Sequence, residues 1–502
     1  MKRWLDRVTG RITIYKLVIV CLLVVTATAL LLSLTGLLFY SPVALLATLA
    51  VAVGTSYLAG RLLAAIFRTT AHTDSAIITG LLLFFLFFPS TNPADLASLA
   101  LTAAIAMASK YLIAWRGRHI FNPAAIGAVI IALTHLNSAV WWVATPYLLP
   151  VVAIAAFLVL YRTRRIAFAA VFVVLAVALI VGRLILAGQD PLLALSTAFT
   201  SYPVVFFAGF ILSEPLTMPP RRAQQLVMAV LVALLFAVPF QVGPFFNTPE
   251  IALVVGNLFA FFFGQRRGLR LTFLGKEQIG PAAWELTFRP ARPVSFRAGQ
   301  YMELTIPHRR NDFRGVRRMF SIASAPGPNA PITFAITEPP KPSSFKRALL
   351  DLEPGAEISG TSVGGDFALP RDHSVPLLLV AGGIGITPFA SQLAHALAAG
   401  ELRDVVVLYA ISGTGQLPYA ELLERTGARV VLVAPEPPDM LPPNWVYAGA
   451  DRISRHTFED HVPDLALRRA YVSGPPALVE DIRRVLRSLG SRRVATDYFS
   501  GY

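Results

Sequence analysis

One cysteine in 502 residues, Cys21, rules out an intramolecular disulfide and leaves too few thiolates for an iron–sulfur cluster, which takes about four protein ligands, mostly Cys. Any resident redox centre is therefore organic, and no metal site is expected. Charge is scarce as well: 15% of the residues are charged and 55% hydrophobic, whereas soluble domains carry about a quarter charged residues. The scarcity is local. Residues 1–267 hold 18 Lys+Arg and only 6 Asp+Glu, while residues 268–502 hold 26 and 23. The basic excess thus belongs to the apolar half, which points to a lipid bilayer as partner and away from nucleic acid. The N-terminal MKRWLDRVTGRITIYK also lacks a small-residue cleavage site, so the first helix reads as retained rather than removed as a signal peptide.

Apolar stretches of spanning length predict a polytopic α-helical membrane domain of about ten helices. They lie near 12–34, 42–66, 75–90, 96–115, 121–137, 143–161, 167–188, 200–216, 224–241 and 250–265. Alternate connections carry arginine: Arg68, then Arg116 and Arg118, then Arg162, Arg164 and Arg165, then Arg221 and Arg222, then Arg266 and Arg267. The other connections carry none, with Arg183 at an outer helix end as the exception. The positive-inside rule then places both termini in the cytoplasm. Ten helices divide into five and five, so the second half would enter the membrane inverted. The third helix of each half, Thr79–Pro93 and Ala208–Pro220, contains Gly and ends in prolines, as broken helices around a central site do.

Asp74 in DSAIITG, Asn122 in HIFNPAAIG and Glu214 in SEPLTMP fall at cytoplasmic helix ends on this topology. Asp and Asn are ordinary N-caps, with Pro123 suited to the first helical position, while an acid at the edge of an apolar helix is often functional. The run SKYLIAWRGRHIFNPAAIG (109–127), with DSAIITGLLL before and SEPLTMP after it, resembles the homologous flavin-carrying membrane proteins of Rnf-type electron-transport complexes and of sodium-translocating NADH:quinone reductases. That resemblance implies electron transfer through flavins, one of them bound covalently to a threonine of an SGAT-like motif. No such motif occurs before residue 267; the nearest string, RTGAR around Thr426, lies beyond it. A second flavin in this half would therefore be non-covalent, and ion pumping is not expected.

After Arg267 short alternating strands such as AWELTFRP, FRAGQYMELTIP and PITFAITEP, punctuated by Pro and Gly, predict an antiparallel β-barrel over 268–371. Over 372–502 strands alternate with helical segments, predicting an α/β nucleotide-binding domain with a parallel sheet. AGGIGITPF (381–389) follows a strand and opens a helix. Gly382, Gly383 and Gly385 would allow a tight turn and close approach of a phosphate, with Thr387 as the helix cap and Pro388 beginning the helix.

This half resembles the ferredoxin–NADP reductase superfamily, which implies FAD and NADH or NADPH as cofactors. In RMFS the resemblance assigns Arg318 to a flavin phosphate, for which guanidinium is a natural bidentate partner. It places Phe320 against the flavin ring and Ser321 near the reacting nitrogen, with Met319 between Arg318 and Phe320 also in the flavin site. Ser343, Ser344 and Lys346 of PSSFKRALLDLEPG occupy the second phosphate position. Ser473 stands before Gly474 and Pro475, where relatives usually have Cys beside the nicotinamide, and Phe499 or Tyr502 of the DYFSGY tail would stack on the flavin. Ser412, with no Arg beside it to meet a 2′-phosphate, leans towards NADH.

The expected protein is a multi-pass cell-membrane oxidoreductase with its flavin module in the cytoplasm. It takes hydride from NAD(P)H to FAD and passes electrons to a second flavin, a quinone or a redox protein. A haem-bearing reductase of the ferric reductase type is the alternative, with only His72, His119 and His135 to ligate iron; a non-enzymatic nucleotide-sensing membrane protein is another.

Overall fold

Prolines and polar caps cut the apolar N-terminal sequence into helices shorter than its hydrophobicity suggests. The computed structural model describes residues 13–499 except 68–71, 116–117, 264–268, 309–315, 413–416, 439, 450–451 and 492. It divides into two units, Met1–Arg267 and Gly268–Tyr502.

The first unit is helical: α1 (Ile14–Leu34), α2 (Pro42–Ile66), α3 (Thr73–Leu86), α4 (Pro93–Leu112), α5 (Pro123–Leu133), α6 (Leu149–Arg162), α7 (Ile166–Leu186), α8 (Pro191–Thr200), α9 (Val204–Phe206, continued as a π-turn to Ile211), α10 (Arg222–Ala237) and α11 (Pro249–Phe263). Among the described residues three helices, α1, α2 and α7, are long and apolar enough to cross a membrane, or four if α8 and α9, bent by 48°, form one span. The expectation of ten full spans is corrected accordingly. α3, α5, α6, α10 and α11 have 11–16 residues, and at 1.5 Å per residue none reaches the ~30 Å of a hydrocarbon core. The missing length lies in non-helical segments: Phe87–Asn92 after α3, and a break after Ile211 that holds only a 3₁₀ turn at Pro215–Thr217. α8 falls in a connection where no helix was expected.

One order of elements occurs twice: a short helix, a proline-bearing break, a longer helix, a ladder of two-residue strands, and a helix opened by proline. It runs α3, α4, Ala114–Trp115 with Arg118–His119, α5, and again α9, α10, Gln241–Val242 with Phe245–Phe246, α11. α5 and α11 pack against each other.

The second unit begins with an antiparallel sheet of β1 (Leu269–Gly280), β2 (Ala283–Pro290), β3 (Tyr301–Thr305), β4 (Arg317–Ser321), β5 (Ile332–Thr337) and β6 (Glu357–Gly364), with α12 (Ser344–Leu350) between β5 and β6. Its order is β4-β3-β6-β1-β2-β5, and a bridge from Ile322 to Phe334 joins the two edges into a barrel. Phe273, Phe288, Phe334 and Phe345 fill its core. The second sheet is parallel: β7 (Leu377–Gly382), β8 (Val405–Ala410), β9 (Arg429–Val433), β10 (Trp445–Tyr447), β11 (Arg469–Gly474) and β12 (Val494–Tyr498), in the order β10-β9-β8-β7-β11-β12. Helices α13 (Thr387–Ala398), α14 (Ala420–Arg425), α15 (Arg455–His461) and α16 (Pro476–Ser488) intervene. β7 is buried along its whole length, as a central parallel strand covered on both faces must be. The strand order reverses between β7 and β11, and the carboxyl ends at such a switch point form the usual ligand crevice.

Candidate functional site

The switch point is built by glycines in close approach. Gly385 leaves no room for a side chain, because a Cβ there would stand 2.5 Å from the Ser473 carbonyl and 2.7 Å from Gly474 Cα. Gly474, at φ +148°, faces Gly382 in the same way, a Cβ meeting Gly382 backbone at 3.2–3.3 Å. These glycines draw the turn after β7 against the end of β11. Gly383 differs: its φ of +54° favours glycine, yet a Cβ there would meet nothing within 4 Å, so its face is open to a ligand. Thr387 is not the helix cap expected of it. It lies inside the first turn and its hydroxyl donates to the Ile384 carbonyl, while Pro388 sits in that turn as anticipated. Pro475 precedes α16, and exposed Ser412 lies just past β8 at the same sheet edge.

In β4 Arg318 and Ser321 are buried and Met319 is exposed; three residues apart on a strand, Arg318 and Ser321 leave opposite faces. Arg318 is 6% exposed, lies 5.3 Å from the Phe345 ring centroid and donates to the Arg317 carbonyl at 2.6 Å. The Phe320 ring stacks on Phe345 at 5.8 Å. The Ser321 hydroxyl donates to Asp497 Oδ2 at 3.3 Å. Asp497 pairs in register with Ser473, so both side chains leave the same face of the sheet. Burial pushes the Asp497 carboxyl up from 3.8 to about 6, against the lowering effect of its hydrogen bonds from Ser321 and the Tyr498 amide. Asp497 is the residue that sequence reasoning missed; a carboxylate near the carboxyl end of a strand beside the switch point was the available signal. The Phe499 amide donates to the Gly474 carbonyl at 2.9 Å, which holds the tail beside the glycine turn. Tyr502 lies outside the described residues.

At the second phosphate position Ser343 caps α12, accepting from the Lys346 amide at 3.3 Å. Ser344 Oγ is 3.0 Å from His308 Nε2, and Lys346 Nζ donates to the Thr337 carbonyl at 2.5 Å.

The residues present fit a flavin and a nicotinamide nucleotide. The buried Ser473 hydroxyl has no hydrogen-bond partner among the described residues, and the open Gly383 face lies on the turn that packs against Ser473. Bound FAD would supply a centre that takes the two electrons of one hydride and releases them singly. With FAD and nicotinamide bound, Arg318 and the glycine turn would be the groups to meet phosphates, and Asp497 would stand beside Ser321 as a carboxyl raised towards neutrality.

In the helical unit, Asn122 caps α5 and its side-chain amide donates to Glu214 Oε2 at 2.8 Å. The Asn122 backbone amide donates to Asn257 Oδ1 of α11 at 2.7 Å. His119 Nε2 is 3.5 Å from Glu214 Oε1. Lys110 donates to Ser75 and Thr79 and feels the Glu214 charge. Asp74 is bound elsewhere, accepting from Lys16 at 2.7 Å, so of the three anticipated residues Asn122 and Glu214 join directly and Asp74 does not.

The fold and site define a flavin- and nicotinamide-dependent oxidoreductase. Residues 379–484 match the family model described as oxidoreductase NAD-binding domain. The chain is 30% identical over 202 residues to ferredoxin–NADP reductase B of Sorangium cellulosum, covering 40% of this chain and 79% of that protein. It is 28% identical over 245 residues to the aromatic O-demethylase reductase subunit of an Amycolatopsis species, covering 47% and 70%. It is also 28% identical over 216 residues to the propane 2-monooxygenase reductase component of Rhodococcus jostii, covering 41% of this chain and little more than half, 56%, of that one. Through its second unit the chain belongs to the ferredoxin–NADP reductase family. It is an NAD(P)H-dependent flavin oxidoreductase that binds FAD.

Proposed function

We propose that the helical unit lies in the cell membrane with the termini and flavin module on the cytoplasmic side, and that electrons from FAD enter it. The observation that carries this reading is the continuity, in one chain, of a family-type flavin reductase with a unit holding three span-length helices and an internal Glu214–Asn122–His119 cluster at interrupted helix ends. The resemblance of residues 109–127 to the membrane proteins of Rnf-type complexes and sodium-translocating NADH:quinone reductases supports it. The acceptor is a non-covalent second flavin or a quinone within the membrane unit, and NADH is the donor. Residues 1–267 form the membrane domain, 268–371 the FAD-binding barrel and 372–502 the NAD(P)-binding domain.

A second reading, a separate redox protein as acceptor, is favoured by the relatives, two of which are named as reductase components of demethylase or monooxygenase systems. The haem alternative finds less support: His72 and His135 are exposed, and His119 stands 3.5 Å from the Glu214 carboxylate. The deciding experiment is anaerobic NADH reduction of the purified full-length protein in lipid nanodiscs, with the extracted flavins counted. More than one flavin per chain, or rapid quinone reduction, supports the membrane acceptor. A single flavin that no quinone reoxidises overturns it.

A further inference from the structure

His308 lies just beyond the end of β3, half-buried, and both of its ring nitrogens are engaged. Nδ1 is 2.8 Å from the Ile306 carbonyl. A carbonyl oxygen only accepts, so Nδ1 carries a proton and the tautomer is fixed. Nε2 is 3.0 Å from Ser344 Oγ. In the neutral ring Nε2 is an acceptor, and the Ser344 hydroxyl is the donor of that bond.

Ser344 begins α12 beside the group assigned to a flavin phosphate. The Arg318 guanidinium lies 5.3 Å from the ring centroid of Phe345, the next residue, and Phe320 stacks on the same ring. The titratable side chains of the three elements that meet here are Tyr301 and Glu303 of β3, Arg317 and Arg318 of β4, and Lys346 and Arg347 of α12. Cations outnumber the one acid among them, which suits an anion. A phosphate oxygen accepts hydrogen bonds, whereas a serine that donates to imidazole turns lone pairs towards any other neighbour. Protonating His308 reverses the bond and moves only hydrogens. Nε2–H then donates to Ser344 Oγ, Nδ1–H still donates to Ile306, and the serine proton is released to a new acceptor.

We propose that His308 is a positioning residue that couples a proton to flavin binding. When a phosphate of FAD meets Ser344, His308 takes up a proton from solvent, reverses its bond and directs the Ser344 hydroxyl to the phosphate. The inference rests on the reading of Ser343 and Ser344 as a phosphate position of FAD. The pyrophosphate of FAD has no group that titrates near neutral pH, so the proton goes to the protein.

The test is isothermal titration calorimetry of FAD into the full-length protein stripped of flavin, in detergent, in two buffers of different ionisation enthalpy. At about pH 8, where an ordinary imidazole is largely neutral, uptake of about one proton per FAD is expected. The same uptake is expected in Asp497→Asn, which removes the carboxyl beside Ser321. His308→Gln and Ser344→Ala should each bind FAD without it. Wild-type affinity should weaken towards about tenfold per pH unit on the alkaline side, while that of His308→Gln stays level. Flavin binding by the wild type without proton uptake, or uptake that survives in His308→Gln or in Ser344→Ala, overturns the inference and leaves the flavin site standing. A wild type that binds no FAD overturns the underlying reading as well.

Discussion

The Ser321 hydroxyl donates to Asp497 Oδ2 at 3.3 Å, joining the last residue of barrel strand β4 to β12, the edge strand of the nucleotide-binding sheet. The bond ties the two halves of the flavin module together where Ser473 and the glycine turn meet. It also places a group with a raised pKa next to the serine assigned to the flavin.

Asp497 should make the module's stability depend on pH. A carboxyl raised from 3.8 to about 6 by burial binds its proton more tightly in the folded chain than in the unfolded one. Its contribution is full below 3.8 and is lost as pH rises through about 6, on the order of 2–3 kcal/mol in all. Asp497→Asn should abolish that decline, seen as a urea midpoint that no longer falls across this window relative to wild type. The same variant should lose the limb near pH 6 in its NADH-dye profile. A wild-type profile already flat there would dismiss the assignment.

Arg318→Ala and Gly383→Val should separate the two nucleotide sites. Losing a charge-assisted phosphate contact costs on the order of 1.5–3 kcal/mol, so Arg318→Ala should lower flavin occupancy by about ten- to a hundredfold in affinity. Gly383→Val forces a β-branched residue to a φ of +54° on the open face of the turn. It should raise the KM for NADH while flavin content stays near normal. Both are read by absorbance of the purified protein and by steady-state kinetics.

Residues 268–502 expressed alone should give a yellow protein with NAD(P)H-dye reductase activity, because both sheets, their cores and the site lie within that unit. A well-folded fragment by circular dichroism that binds no FAD would refute the site assignments.

What could be read from the chain beforehand divides along physical lines. The turn at Gly382–Gly385 was legible because a strand, a glycine turn and a proline-opened helix follow in sequence, while the flavin role given to RMFS rests on the local order Arg, aromatic, Ser. Asp497 was not legible, since its significance comes from pairing with Ser473 and contact with Ser321, 176 residues away in the chain. The breaks at 87–92 and after Ile211 were visible as prolines. Hydropathy nonetheless carried the expected spans to residues 90 and 216, because Phe87, Phe88 and Leu212 extend the apolar run past the helix ends. Thr387 suits a cap by type, but the preceding 3₁₀ turn Gly383–Ile386 moves the helix start so that its hydroxyl turns back onto Ile384.

The Glu214 cluster yields the sharpest test of how the helical unit is used. Glu214 accepts from Asn122 at 2.8 Å and from Thr217 at 3.3 Å, and stands 3.5 Å from His119. Glutamine has the same size and can still accept from Asn122, so Glu214→Gln removes the charge while leaving the packing. If electrons enter the helical unit beside this cluster, losing its negative charge alters the field at the acceptor. FAD reoxidation by the membrane acceptor should then slow by about tenfold or more, the factor that 1.4 kcal/mol represents. Dye reduction should be unchanged, because dyes take electrons from the flavin module directly. Stopped-flow reoxidation in nanodiscs, beside a dye assay on the same preparation, measures both. Loss of both activities would reveal a folding role, and loss of neither would make Glu214 a partner for the Asn122 cap and nothing more.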